Sequence, residues 1–198
     1  AQKAMDAGVD GLICVNGRAG GHAGTKSPQE LFDTLSPLGL PLVAAGGVGD
    51  ESRYVDTMSI GYGAVQMGTR FIATNECKVH QDYWDAILKA DEADIVLTER
   101  LSGVPVSVIN TPLVQRVGTK AGPLARRLLK GRKTKHWMRT FYALRSLRQL
   151  KHSIKKGVTY NDVWQAGKSV GGIHEVEPAA EIVARFDAAW KAARQSSH

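Results

Sequence analysis

Three short apolar runs organise the first third of the chain: Asp10–Val15 (DGLICV), Pro41–Ala45 (PLVAA) and Ala64–Met67 (AVQM). None alternates cleanly between apolar and polar positions, the pattern expected of parallel strands covered on both faces. Each runs into glycine-rich sequence, and amphipathic stretches separate them. Ser27-Pro28-Gln29-Glu30 predicts a helix start, with Ser27 as cap, Pro28 in the first turn and Glu30 three residues after the cap. Asp50 opens a second helix that continues to about Ile60 and closes at Gly61-Tyr62-Gly63. Ala1–Ala7 reads as the tail of a helix feeding the first strand through Gly8. The strand starts lie 31 and then 23 residues apart, a spacing that suits right-handed strand–helix–strand units and an α/β fold.

Beyond the third run the pattern changes. Val79–Ala90 predicts a helix, and Ile95–Leu97 and Val104–Ile109 are short β-rich runs. Leu124–Lys130 and Lys135–Lys155 are helical and basic, with Leu144, Leu147, Leu150 and Ile154 forming an apolar stripe. Asn161–Ala166 and Pro178–Ala192 predict two more helices, the latter burying Ile182, Val183, Phe186 and Trp190. This gives three regions: strand–helix units over 1–75, a mostly helical basic cap over 76–169, and a terminal helix returning over 170–198.

Composition narrows the class without naming a function. The chain has 198 residues, 43% hydrophobic and 23% charged, ordinary for a globular domain and unlike a coiled coil or a disordered chain. Two cysteines, Cys14 and Cys77, exclude a disulfide scaffold and a cysteine zinc cluster, and point to a reducing cytoplasm. No run approaches the ~20 apolar residues of a membrane span, and the first residues carry no signal-peptide pattern. The net charge of +7 is misleading when averaged. Gly118–Gly157 holds 13 lysines and arginines, and no acidic residue lies between Glu99 and Asp162. That segment is either a solvated helical face or the rim of a site for an anionic partner, such as a CoA or carrier-protein thioester. Trp137, Phe141 and Tyr142 lie among these cations, so a nucleic-acid-binding module is the reading from a different function class.

The chemistry concentrates at the strand ends. After the first strand comes Asn16-Gly17-Arg18-Ala19-Gly20-Gly21-His22-Ala23-Gly24, with a lone histidine among glycines. After the second comes Gly46-Gly47-Val48-Gly49 with Asp50 opening a helix, where free amides make an anion site. After the third comes Gly68-Thr69-Arg70. Glycine permits close approach of a ligand to the backbone, and two adjacent strand–helix loops of this kind make a phosphate cradle of the sort that follows strands seven and eight of a (β/α)8 barrel.

The segments VDGLICVNGRAGGHAG, PLVAAGGVGD and AVQMGTRFIAT, in this order, resemble the nitronate monooxygenase (2-nitropropane dioxygenase) family, as do SGVPVSVIN and AGKSVGGIHEVEPAAEIV nearer the end. The resemblance implies the C-terminal part of a TIM barrel, strands six to eight, with five strands preceding residue 1 in a longer protein. It implies FMN as cofactor, held by Gly20, Ala45, Gly46, Gly47, Gly68 and Thr69, and His22 as the catalytic histidine. His22 would take the α-proton of a nitroalkane or position the nitronate, with O2 completing oxidation to a carbonyl compound and nitrite. No metal is implied, and a homodimer is compatible with it. The related enoyl-ACP and quinone reductases, which use NAD(P)H, are the alternative within the superfamily. Two positions depart from the family's pattern: Arg18 stands where Glu is common before Gly-Gly-His, and Lys168 where Gln follows Gly167. A cleft-facing Arg18 would favour an anionic substrate or phosphate.

Overall fold

The computed structural model describes residues 1–99, 104–120 and 163–196. The predicted basic helices at Leu124–Lys130 and Lys135–Lys155, and with them most of the basic cap, lie outside the described residues. A short helix α1 (Gln2–Met5) leads into β1 (Leu12–Val15). β1 pairs in parallel with β2 (Leu42–Ala45), Leu12 opposite Leu42, and β2 pairs in parallel with β3 (Ala64–Gln66), Val43 opposite Ala64. The order β1-β2-β3 follows the sequence, so each crossover moves one strand along, as the spacing of the apolar runs predicted.

The crossovers are α2 (Pro28–Leu35) and α3 (Glu51–Ser59). Ser27 and Glu30 form a reciprocal capping box at the start of α2, Ser27 Oγ accepting from the Glu30 amide at 3.1 Å and Glu30 Oε2 from the Ser27 amide at 2.7 Å. Leu31, Phe32 and Leu35 of α2 pack on Cys14, Leu42, Ala44 and Tyr62. The other face of β1 turns Ile13 and Val15 outward, 61% and 41% exposed. Among the described residues β1 and β3 each pair along one edge only.

After β3 come α4 (Thr69–Ile72) and α5 (Gln81–Lys89), then an antiparallel ribbon of β4 (Ile95–Thr98) and β5 (Val106–Ile109), and α6 (Pro112–Val117). A second core joins Ile87 of α5 and Ile109 of β5 to Ala73, Ala166, Val170 and Ile173. The terminal helix α7 (Ala179–Ser196) lies along α3, sealing Val48 with Ile182 and Phe186.

Two expectations are corrected. Residues 163–166, the described part of the predicted helix Asn161–Ala166, are extended: the Ile109 amide donates to the Trp164 carbonyl at 2.9 Å and Gln165 bridges Val108. A free strand edge on β5 overrides a local preference that was weak. In α7, Val183 is 54% exposed. One face of a helix spans residues i and i+4, so Ile182 and Phe186 meet α3 together while Val183 rotates away. Trp190 is half-buried.

This division of α7 sets a contrast in stability. Ile182→Ala removes a fully buried side chain and should cost about 2–5 kcal/mol, whereas Val183→Ala should stay within about 0.5 kcal/mol of wild type. Urea unfolding of the two variants measures both, and equal losses would contradict the packing of α7 on α3.

Candidate functional site

The loops that leave the carboxyl ends of β1, β2 and β3 converge on one segment, residues 166–172. Asn16, 1% exposed at the end of β1, organises the first two. Its side-chain amide donates to the Gly46 carbonyl at 2.9 Å, and its side-chain oxygen accepts from the Arg18 amide at 2.8 Å. Sequence reasoning passed over Asn16, although a polar residue ending an apolar run just before a glycine loop is a usable signal: buried, it must find partners, and here the partners are the two loops.

The histidine loop is then hung on the ribbon. Gly21, at φ +65°, exchanges backbone hydrogen bonds with Ser107 of β5, Ser107 donating at 2.7 Å and Gly21 at 3.4 Å. His22 is exposed, and its side chain forms no hydrogen bond with the described residues. The loop is therefore held by backbone pairing rather than by the imidazole.

Segment 166–169 closes the arrangement. An added Cβ on Gly20 would lie 2.8 Å from the Gly167 nitrogen, and one on Gly167 2.6 Å from the Gly20 nitrogen, so the two chains touch through glycine alone. The Gly167 amide donates to Thr69 Oγ1 at 3.1 Å, and the Lys168 amide donates to the Arg18 carbonyl at 2.9 Å. Thr69 is 6% exposed. Because its oxygen accepts from Gly167, its own hydroxyl proton is left for another acceptor.

Glycine has a different explanation at several of the positions singled out from sequence. Gly46 (φ +115°) and Gly47 (φ +82°) need conformations that favour glycine, and Cβ atoms there would meet Ala19 and Arg18 at 2.6 Å. Gly20, Gly46 and Gly47 are thus demanded by the chain's packing on itself. Gly68 differs. Its φ is −106°, and among the described residues no heavy atom beyond its chain neighbours lies within 4 Å of the position its Cβ would take. Nothing among the described residues requires glycine there, and the space beside it is a cradle that a Cβ would fill. That open backbone, with the Thr69 hydroxyl next to it, fits a phosphate-bearing group. At the N-terminus of α3, Asp50 Oδ1 accepts from the Arg53 amide at 2.8 Å and caps the helix. Ala45 is buried at the end of β2, opposite Val15. Arg18 ion-pairs with Glu92, which Arg53 also approaches at 3.7 Å.

A buried charge network fixes the turn after Thr69. Arg70, with a side chain 2% exposed, pairs with Glu177 at 3.0 Å and donates to the Ala73 and Glu175 carbonyls at 3.2 and 3.0 Å. Arg185 of α7 grips the same Glu177 and also Glu51 of α3. The hydrogen bond from Arg185, with the charges of Arg185 and Arg70, holds the Glu177 carboxyl below the usual range against the opposing effect of burial. Trp84 donates to the Ile72 carbonyl at 2.7 Å and Trp164 stacks on Tyr83 with ring centroids 4.5 Å apart, so both serve packing; Trp137 lies outside the described residues.

Glycine loops at the ends of successive parallel strands, gathered round residues 166–172, define an α/β protein with its candidate site at the carboxyl end of the sheet. The chain belongs to the nitronate monooxygenase family, whose pattern it matches over residues 1–187; this is a family of flavoenzymes. It is 34% identical over 125 residues to a probable nitronate monooxygenase of Staphylococcus saprophyticus, covering 56% of this chain and 35% of the relative. It is 32% identical over 121 residues to a (3aS,4S,5R,7aS)-5-hydroxy-7a-methyl-1-oxo-octahydro-1H-indene-4-carboxyl-CoA dehydrogenase of Mycobacterium tuberculosis, covering 59% of this chain and 34% of that protein. Among solved structures it is similar to FabK of Thermotoga maritima, with a TM-score of 0.73 and 26% identity over 98% of this chain and 58% of that one. The chain thus matches about a third of each of these two relatives and lies along rather more than half of FabK. No described helix is long and apolar enough to cross a membrane.

The network around Arg70 carries a measurable consequence. Glu177→Gln leaves a buried guanidinium without its counter-charge and should cost about 3 kcal/mol at neutral pH. Since the folded-state pKa of Glu177 is depressed, the carboxylate stabilises the fold above the ordinary Glu value of about 4.3, and this contribution drains away as pH falls through the folded value. The gap between wild type and Glu177→Gln in urea midpoint should therefore shrink from pH 7 towards pH 3, and a constant gap would contradict it.

Proposed function

We propose that this chain forms the C-terminal part of an FMN-dependent oxidoreductase of nitronate monooxygenase type, with β1, β2 and β3 as strands six to eight of a (β/α)8 barrel. The regions 1–75, 76–169 and 170–198 are then the phosphate-loop units, the cap and the returning helix. The observation that carries the cofactor reading is the open backbone at Gly68 beside the Thr69 hydroxyl, a cradle the fold itself does not need. The exposed apolar face of β1 and the unpaired edges of β1 and β3 support the barrel reading, because such a sheet buries Ile13 and Val15 only against further strands.

In this reading the amides of Gly46, Gly47, Gly68 and Thr69 and the Thr69 hydroxyl hold the FMN phosphate, with Gly20 and Ala45 beside the ring system. FMN, when bound, supplies a redox centre for electrons leaving the substrate. His22 stands on the loop at the carboxyl end of β1, where barrel enzymes carry their chemistry. Its imidazole takes the α-proton of a nitroalkane and holds the resulting nitronate. Reaction with O2 then gives a carbonyl compound and nitrite. The similarity to a CoA-ester dehydrogenase favours a second reading, an NAD(P)H-dependent reductase of enoyl thioesters or quinones on the same loops. Fast anaerobic flavin reduction by NAD(P)H, with no turnover of nitronates, would select it. The nucleic-acid reading rests on the basic segment, outside the described residues, and no described feature favours it.

Gly68 gives the sharpest test of the cofactor site. Gly68→Val should fold and melt as wild type, because its Cβ meets none of the described residues, yet lose FMN because the side chain fills the cradle. Gly47→Val is a poor probe, since φ +82° and Arg18 penalise it without any ligand. Full FMN occupancy in Gly68→Val, read from the absorbance spectrum, would place the phosphate elsewhere.

His22→Asn tests the base. The variant should keep FMN and lose about 10²–10⁴-fold in kcat/KM on a neutral nitroalkane, with a smaller loss on the matched nitronate, which has already shed the proton. Equal losses on both substrates would make His22 a positioning group.

A further inference from the structure

Two consecutive residues of α5 hold the two chains that meet at Thr69. Trp84 donates its indole N–H to the Ile72 carbonyl at 2.7 Å, at the end of the helix that begins with Thr69. Tyr83 donates its hydroxyl to the Gln165 carbonyl, and its ring stacks on Trp164 with centroids 4.5 Å apart and planes 17° apart. Two residues beyond that carbonyl, the Gly167 amide donates to Thr69 Oγ1 at 3.1 Å. Successive positions on a helix point about 100° apart, so one helix can grip both chains at once. The helix is itself fixed, because the fully buried Ile87 packs in one core with Ala73, Ile109 and Ala166. Among the described residues no other group donates to the Gln165 carbonyl. Burial, and then Cys77, push the Tyr83 pKa up to about 12, so the hydroxyl is a donor at neutral pH. The gripped segment also borders the histidine loop: Gln165 Oε1 lies 3.3 Å from the position a Cβ on Gly21 would take, and a Cβ on Gly20 would meet the Gly167 nitrogen at 2.8 Å.

We propose that Tyr83 and Trp84 are positioning residues for the candidate site: they set the separation between α4 and residues 164–167, and so seat the Gly167 amide on Thr69. Both act through backbone carbonyls, Ile72 on one side and Gln165 on the other. The seating matters because Thr69 has a single hydroxyl. While its oxygen accepts from Gly167, its proton is directed to another acceptor; with the amide withdrawn, the hydroxyl can turn and the directional bond weakens. The seating is a property of the fold, and its consequence for a ligand rests on the FMN reading given above, in which the Thr69 hydroxyl meets the phosphate.

The experiment uses Tyr83→Phe, which keeps the stack and removes the hydroxyl, and Trp84→Phe, which keeps a ring and removes the indole N–H, both in the complete protein. Hydrogen exchange of the Gly167 amide should quicken about fivefold in each variant, the size of one lost hydrogen bond, while the amides paired between β1 and β2 change by less than about twofold. Quenching of flavin fluorescence gives the second reading, with FMN compared against riboflavin, which lacks the phosphate. FMN should weaken about fivefold and riboflavin by less than about twofold. In a Thr69→Val background, Tyr83→Phe should leave the FMN-to-riboflavin ratio unchanged, because the group that it positions is gone. Equal acceleration at Gly167 and in the sheet means that the two residues only add stability, and overturns the proposal. Additive effects of Tyr83→Phe and Thr69→Val, or equal weakening of both flavins, overturn it too. If one variant fails to fold, the other decides on the same readings. A wild type that binds neither flavin overturns the FMN reading alone, and the exchange rates still support or overturn the seating of Gly167.

Discussion

Everything at the strand ends depends on how closely the backbone of residues 166–169 approaches the first and third loops. Gly167 against Gly20 allows an approach that a side chain on either would prevent. The approach lets one amide reach Thr69 Oγ1 and the next reach the Arg18 carbonyl. Buried amides must find acceptors, so the segment is held in register by the same bonds that orient the site. The consequence for chemistry is that Thr69 is left with a proton to give.

A second layer keeps the third loop in place. Arg70 follows Thr69 directly, and its buried charge is tolerable only because Glu177 and two carbonyls surround it. Glu177 is in turn fixed by Arg185 on α7, which also reaches Glu51 on α3. Helix α7 therefore contributes twice, by covering Val48 with Ile182 and Phe186 and by supplying Arg185, which holds Glu177, the counter-charge for Arg70. An isolated ion pair at a surface adds little to stability; here burial makes the loss of one partner expensive.

Most of the parallel sheet was legible in the sequence, because three uninterrupted apolar runs ending in glycine have few other interpretations. The capping box at Ser27 and Glu30 was legible for the same reason: its signature is local. The readings that failed depended on partners distant in the chain. Residues 163–166 are extended because the β5 edge accepts them, and Val183 is exposed because α3 fixes the rotation of α7.

The sequence by itself determined the parallel strand–helix order, the glycine loops at the strand ends and the presence of His22, Thr69 and Gly68 on those loops, since each is written in spacing and residue type. Only the tertiary structure decided why each glycine is a glycine. Gly46 and Gly47 carry positive φ and close contacts with Ala19 and Arg18, whereas Gly68 meets empty space. It also decided that Asn16 ties two loops together, and that the Lys168 amide meets the Arg18 carbonyl. Residues 18 and 168 are far apart in the chain, and no local pattern encodes a contact made by backbone atoms that every residue possesses.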